Sequence, residues 1–195
     1  MKAILISDRP RWCALMMNGD KTVEVRKGTA LYKATQKLID EYGYAEFYVY
    51  CTKDGELFYD PITKKWLSFK SRNIKTVRRL SNGVVKFKFR CYKVEEIKKT
   101  ERHDVELVKK SCLTSTEFYD YLLNKPTFNE IIGCAIHISD LEIFDKPKEL
   151  SEFRRYGGLE YAMKNADNPL VDDNWHEIVY LTKAPQSWCY VEENK

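Results

Sequence analysis

The chain has 195 residues, 44% of them hydrophobic and 32% charged, with a net charge of +4. That balance excludes a disordered chain, and no apolar run approaches the roughly 18 residues of a membrane-spanning helix. At about 100–200 residues per domain the length predicts one domain over 1–195, whose core needs no disulfide or metal staple.

Residues 2–6 predict a short buried strand, and the apolar run of four residues is too brief for a signal-peptide core. Asp8-Arg9-Pro10 predicts a turn into a helix, with Pro10 suited to the first helical position. Trp12, Leu15 and Met16 recur at helical spacing, so 10–18 form that helix, and Asn18-Gly19-Asp20 stops it. From Thr22 to Arg26 the pattern alternates: Val23 and Val25 face one way, Glu24 and Arg26 the other. A helix is expected over 30–42, an aromatic strand over 46–52, and a hairpin over 56–70 that turns at Asp60-Pro61. Asn82-Gly83 marks a tight turn before a strand at 84–94. Thr114-Ser115-Thr116-Glu117 matches a capping box and opens a helix to Leu123. Strands follow at 131–138 and 141–144, a short helix at 148–154, a loop-rich segment at 155–175, and strands at 176–182 and 188–192. Many short strands without a βαβ rhythm predict a mainly β (α+β) fold, a mostly antiparallel barrel with peripheral helices.

The six cysteines are widely spaced and lack a Cys-x-x-Cys pair, which suits buried thiols in a reducing cytoplasm. Cys134 and His137 lie three apart on a predicted strand, on opposite faces, and so do not chelate one ion. No metal or other cofactor is expected.

Charge is unevenly placed. Between Pro61 and Val94 there is no Asp or Glu but eleven Lys and Arg, leaving −7 on the rest of the chain. Clustered cation of this kind is the footprint of a phosphate-bearing partner. Lys86, Lys88 and Arg90 share one face of the strand at 84–90, opposite Val85, Phe87 and Phe89. They form either a rail along a nucleic-acid backbone or a solvated outer face.

The densest chemistry is Gly19-x-Lys21-x-x-Glu24-x-Arg26. Packing of Val23 and Val25 would hold Glu24 and Arg26 toward a cleft. Arg26 offers a planar fork for phosphate or a base edge. Lys21 supplies a point charge, or a base or nucleophile if desolvation lowers its pKa. Glu24 shuttles a proton, accepts from an amino group, or neutralises its neighbours. Trp12 stacks a base, worth about 1–3 kcal/mol, or sits in the core with Leu15 and Met16. Lys53, ending the aromatic strand, either contacts phosphate or is a surface lysine.

This constellation resembles the signature of the ASCH (activating signal cointegrator homology) domain, of the PUA-like β-barrel superfamily. Val49-Tyr50-Cys51-Thr52-Lys53, Ile136-His137-Ile138-Ser139-Asp140-Leu141 and Pro185-Gln186-Ser187-Trp188-Cys189-Tyr190-Val191 resemble the longer bacterial and phage-associated members. The segments least like them are 54–82, which reads as a basic hairpin insertion, and 155–175. The resemblance implies a cleft for RNA or a modified nucleoside. Some small members are amidohydrolases acting on acetylcytidine, and some are reported as ribonucleases. In the amidohydrolases a Lys at the position of Lys21 works with a Thr three residues on, where this chain has Glu24.

The expected function is therefore nucleic-acid (RNA) or modified-nucleoside binding, carried by Lys21, Glu24, Arg26, Trp12 and Lys53, with Lys86, Lys88 and Arg90 as outer phosphate contacts. Two alternatives stand beside it. One is a hydrolase using Lys21 and Glu24; the other is a protein-interaction module whose basic stretch meets an acidic partner.

Overall fold

The computed structural model describes residues 2–69, 82–99, 105–123, 130–155 and 180–193. The fold is mainly β. Strands β1 (Ala3–Asp8), β3 (Ala45–Cys51), β6 (Val84–Cys91), β9 (Ser139–Lys148), β10 (Phe153–Arg155) and β11 (Trp188–Glu193) form one six-stranded sheet in the order β10-β11-β1-β3-β6-β9. Strands β2 (Val23–Lys27), β8 (Ile131–His137) and β7 (Val94–Lys98) form a second sheet, and β4 (Glu56–Asp60) and β5 (Lys65–Phe69) a hairpin. Pairing is antiparallel except between β1 and β3, where Ile4 lies opposite Phe47 and Asp8 opposite Cys51. The helices are α1 (Pro10–Met17), α2 (Ala30–Tyr42), α3 (Val105–Lys110) and α4 (Ser115–Leu123).

The expected barrel does not close: the strands divide between two open sheets and a hairpin. The strand expected over 84–94 ends at Cys91, and a separate strand β7 starts at Val94 and pairs with β8. The short helix expected at 148–154 is a single 3-10 turn at Leu150–Glu152 followed by β10. The loop-rich 155–175 segment lies, apart from Arg155, outside the described residues, as does most of the 176–182 strand and the basic residues between 70 and 81.

Local signals explain the elements that matter for the site. Pro10 opens α1, and Gly19 at φ 76° closes it, its N–H bonding to Met16 O. A left-handed residue there costs glycine nothing. The chain reverses at that point and returns Lys21 beneath α1, with Lys21 N donating to Leu15 O. The capping box at α4 is reciprocal: Thr114 N donates to Glu117 Oε2 at 2.9 Å, and Glu117 N to Thr114 Oγ1 at 3.1 Å. On the hairpin, Asn18 brackets the backbone of Trp66, donating to its O at 2.9 Å and accepting from its N at 2.8 Å. That contact ties β5 to the end of α1.

Three apolar clusters hold the sheets. The first, with Ile4, Ile6, Phe47, Phe87 and Phe89, lies between the six-stranded sheet and α1 and α2. The second, with Leu5, Tyr48, Val85 and Phe153, covers that sheet's other face. The third packs Val23 and Val25 of β2 against Val108, Phe118 and Leu122 of α3 and α4. Gly133 of β8 permits this last packing, because a Cβ there would stand 2.5 Å from Arg26 O and 2.6 Å from a Leu122 methyl.

Candidate functional site

Val23 is 0% and Val25 4% exposed within the third cluster, so strand alternation turns Glu24 and Arg26 the other way, into the seam between the two sheets. At the open end of that seam lies a cleft of about 560 Å³. Its walls come from the end of β1 (Ser7, Asp8), α1 (Trp12), the turn at Lys21, β2 (Glu24, Arg26) and α4 (Glu117, Tyr121), with Thr52 and Gln186 at its margin.

Four charged side chains form a continuous chain along this wall. Lys21 Nζ lies 3.2 Å from Glu24 Oε2, Glu24 Oε1 lies 2.7 Å from Arg26 Nε, and Arg26 Nη2 lies 2.8 Å from Asp8 Oδ2. All four are buried, with at most 8% of the residue exposed. Two backbone carbonyls complete the chain: Lys21 Nζ donates to Ser111 O at 2.7 Å, and Arg26 Nη2 to Ser7 O at 3.0 Å. Arg26 thus spans from the second sheet to the first. The contacts of Arg26 Nε and Asp8 Oδ2 are close enough for ion pairs but miss hydrogen-bond angles, and both atoms lack an aligned partner.

Electrostatics differ along the chain. Burial would lower the Arg26 pKa, but Asp8 and Glu24 more than offset it and hold the guanidinium firmly charged. Burial pushes Asp8 up to about 7 despite Arg26, and Glu24 adds to the rise. Glu24 has a cation on each oxygen, whereas among the described residues Asp8 has Arg26 alone. An ionised carboxylate with so little compensation in a buried position is costly, which is the cause of the upward shift.

The aromatic wall consists of Trp12 and Tyr121. The Trp12 ring carries Lys21 Nζ at 5.1 Å and the Arg11 guanidinium at 4.6 Å, and Tyr121 carries Lys27 Nζ at 4.7 Å. Trp12 also packs on the first core cluster, so its cleft and core placements hold together.

Of the residues singled out from sequence, the structure brings Trp12, Lys21, Glu24 and Arg26 to this one cleft. Lys53 is exposed and lies against Gly83, outside the lining. The single basic face expected for Lys86, Lys88 and Arg90 is broken by a register shift in β6 between Val85 and Phe87. Alternation fails across such an irregularity. Lys86 is consequently buried, 6% exposed, near Cys13 and Cys51, and burial lowers its pKa. Lys88 lies on the outer side, 3.4 Å from both Glu46 and Glu142, and Arg90 lies 3.9 Å from Asp140 and over the Tyr44 ring.

Sequence reasoning missed Asp8, Tyr121 and Glu117 as cleft residues. An acid closing an otherwise apolar strand is the available sequence signal for Asp8. Among the described residues no group of three or more His, Cys, Asp or Glu side chains could hold a metal ion, and no helix is long and apolar enough to cross a membrane. His137 Nε2 contacts Glu95 Oε1 at the edge of the second sheet, away from the cleft lining.

No known family profile matches the chain, and no curated protein matches it. Among solved structures it is similar to the ASCH protein from Zymomonas mobilis, with 14% identity, a TM-score of 0.46, and 97% of this chain and 87% of that chain covered. It is similar to the Y47F mutant of that protein at 15% identity and TM-score 0.44, covering 94% of this chain and 92% of that one. A third similar structure is the N-terminal domain of Staphylothermus marinus McrB, at 6% identity and TM-score 0.43, with 85% and 81% covered.

Proposed function

We propose that the chain is a nucleic-acid-binding module that takes one nucleoside, of RNA or in modified form, into the cleft between its two sheets. The observation that carries this reading is the buried Asp8–Arg26–Glu24–Lys21 chain at the head of a cleft with aromatic walls. About 560 Å³ falls within the roughly 300–1,000 Å³ of small-molecule sites. The polar atoms are prearranged and the cations already internally compensated. Such a floor suits the edge of a neutral heterocycle better than a bare phosphate, which needs unspent positive charge. Trp12 and Tyr121 supply the stacking surfaces, and Lys53 follows Thr52 of the cleft margin in sequence.

Two of the three donors of Lys21 are committed, to Ser111 O and Glu24. That geometry supports a positioning role for Lys21, and favours binding over hydrolysis by a Lys21–Glu24 pair. The test is titration of short single-stranded RNA and free nucleosides against the wild type and Trp12→Ala, Tyr121→Ala and Lys21→Arg. Each aromatic replacement should cost about 1–3 kcal/mol of affinity. Lys21→Arg should bind with most of its affinity. Wild-type affinity that is indifferent to both rings would remove the cleft from consideration. Turnover of acylated cytidine or RNA by the wild type, abolished in Lys21→Arg, would put the hydrolase reading first.

A further inference from the structure

We propose that Asp8 is the hydrogen-bond donor of the cleft: its carboxyl holds a proton and presents it to a carbonyl or ring-nitrogen acceptor of the bound base, so that ligand binding takes up a proton. The inference rests on the nucleoside reading and deepens it.

Geometry carries the argument. The buried chain contains two cations and two carboxylates, and they are not shared evenly. Glu24 has Lys21 on one oxygen and Arg26 on the other, while among the described residues Asp8 pairs with Arg26 alone. Asp8 Oδ2 is turned to Arg26 and closed to solvent, without an aligned hydrogen bond. The residue still lines the cleft, which leaves Oδ1 as the carboxyl atom nearest a ligand. The charged and titratable groups facing Asp8 are Arg26 and Glu24 from β2, Lys21 from the turn before it, Tyr121 from α4, and the buried thiols Cys13 of α1 and Cys51 of β3. Among the described residues Arg26 and Lys21 are the cations that favour its ionised form, and both are already shared with Glu24. In keeping with this, burial raises the Asp8 pKa to about 7, so the proton is present or available near neutrality. A protonated carboxyl both donates and accepts, whereas the Lys21 and Arg26 cations only donate and a carboxylate only accepts.

The consequence is a proton-linked affinity. An acceptor-bearing base binds the protonated form, so affinity is full below the Asp8 pKa and falls above it. The experiment measures binding of oligouridine and oligoadenosine between about pH 5.5 and 8.5 at constant ionic strength, with wild type and Asp8→Asn, beside the carbon resonance of the Asp8 carboxyl in the ligand-free protein. The wild type should lose about tenfold in affinity per pH unit above neutrality, Asp8→Asn should show no such slope, and the carboxyl should titrate near neutrality. A slope retained in Asp8→Asn, a flat wild-type profile, or a carboxyl titrating in the ordinary acid range would overturn the proposal. Should the Asn variant not fold, the wild-type slope and the carboxyl titration decide it. Absence of binding by both oligomers at every pH overturns the nucleoside reading, while the carboxyl titration still tests the proton on Asp8. A carboxyl that still titrates near neutrality then assigns that failure to the ligand class and not to Asp8.

Discussion

Replacement of Arg26 by Met tests whether the charged chain holds the two sheets together. The guanidinium reaches Glu24 Oε1 at 2.7 Å, Asp8 Oδ2 at 2.8 Å and Ser7 O at 3.0 Å, from a residue only 8% exposed. Met keeps most of the apolar stem, so the loss falls on the charge. Removing one member of a buried pair costs about 3–5 kcal/mol, because the partner stays buried and uncompensated. For a chain of 195 residues, each kcal/mol shifts the melting temperature by about 2–4 °C, which gives a fall of roughly 6 to 20 °C. The loss should depend on pH. Below neutrality Asp8 carries its proton and needs no cation, so the variant is closer to wild type near pH 5.5 than near pH 8. Thermal unfolding followed by circular dichroism at both pH values is the assay. A loss below about 1 kcal/mol at both, the worth of an exposed ion pair, would refute the reasoning. So would a loss that is equal at the two pH values.

Three further outcomes follow from the same structure. The folded Asp8 pKa of about 7 lies above the ordinary 3.8, so the native state holds a proton that the unfolded chain releases; its contribution to stability is full below the ordinary value and declines as pH rises toward 7. Urea midpoints across that window should fall more for wild type than for Asp8→Asn, and parallel profiles would contradict the assignment. Lys86 is buried without an ion pair among the described residues, so Lys86→Met should leave the urea midpoint unchanged or raised, with no change in the salt dependence of RNA binding; a loss above about 2 kcal/mol would mean that the ammonium has a stabilising partner. Asn18→Ala removes both hydrogen bonds to the Trp66 backbone, and should cost about 1–3 kcal/mol and raise amide exchange selectively over residues 56–69; protection unchanged in the hairpin would show that its apolar contacts suffice.

Much of the local structure was legible in the chain. Alternation from Val23 to Arg26, Pro10 before an apolar helical repeat, Gly19 after it, and Thr114 with Glu117 each depend on residues a few positions apart, and each formed as read. The gathering of Trp12, Lys21, Glu24 and Arg26 was also legible, because helix α1, one turn and strand β2 are consecutive and their periodicities fix the facing. Residues distant in sequence were a different matter. Asp8 became part of the cleft only when Arg26 of the second sheet reached across to the end of β1, and the upward shift of its pKa is a product of burial that no local pattern encodes. The face of Lys86 was decided by a register shift set by the strands that β6 pairs with, and a period-of-two pattern assumes that no such shift occurs. Whether the strands closed into a barrel depended on the same long-range pairing. The chain alone determined which side chains each element offers to its two faces; tertiary packing decided which faces meet, and therefore which charges are desolvated and shared.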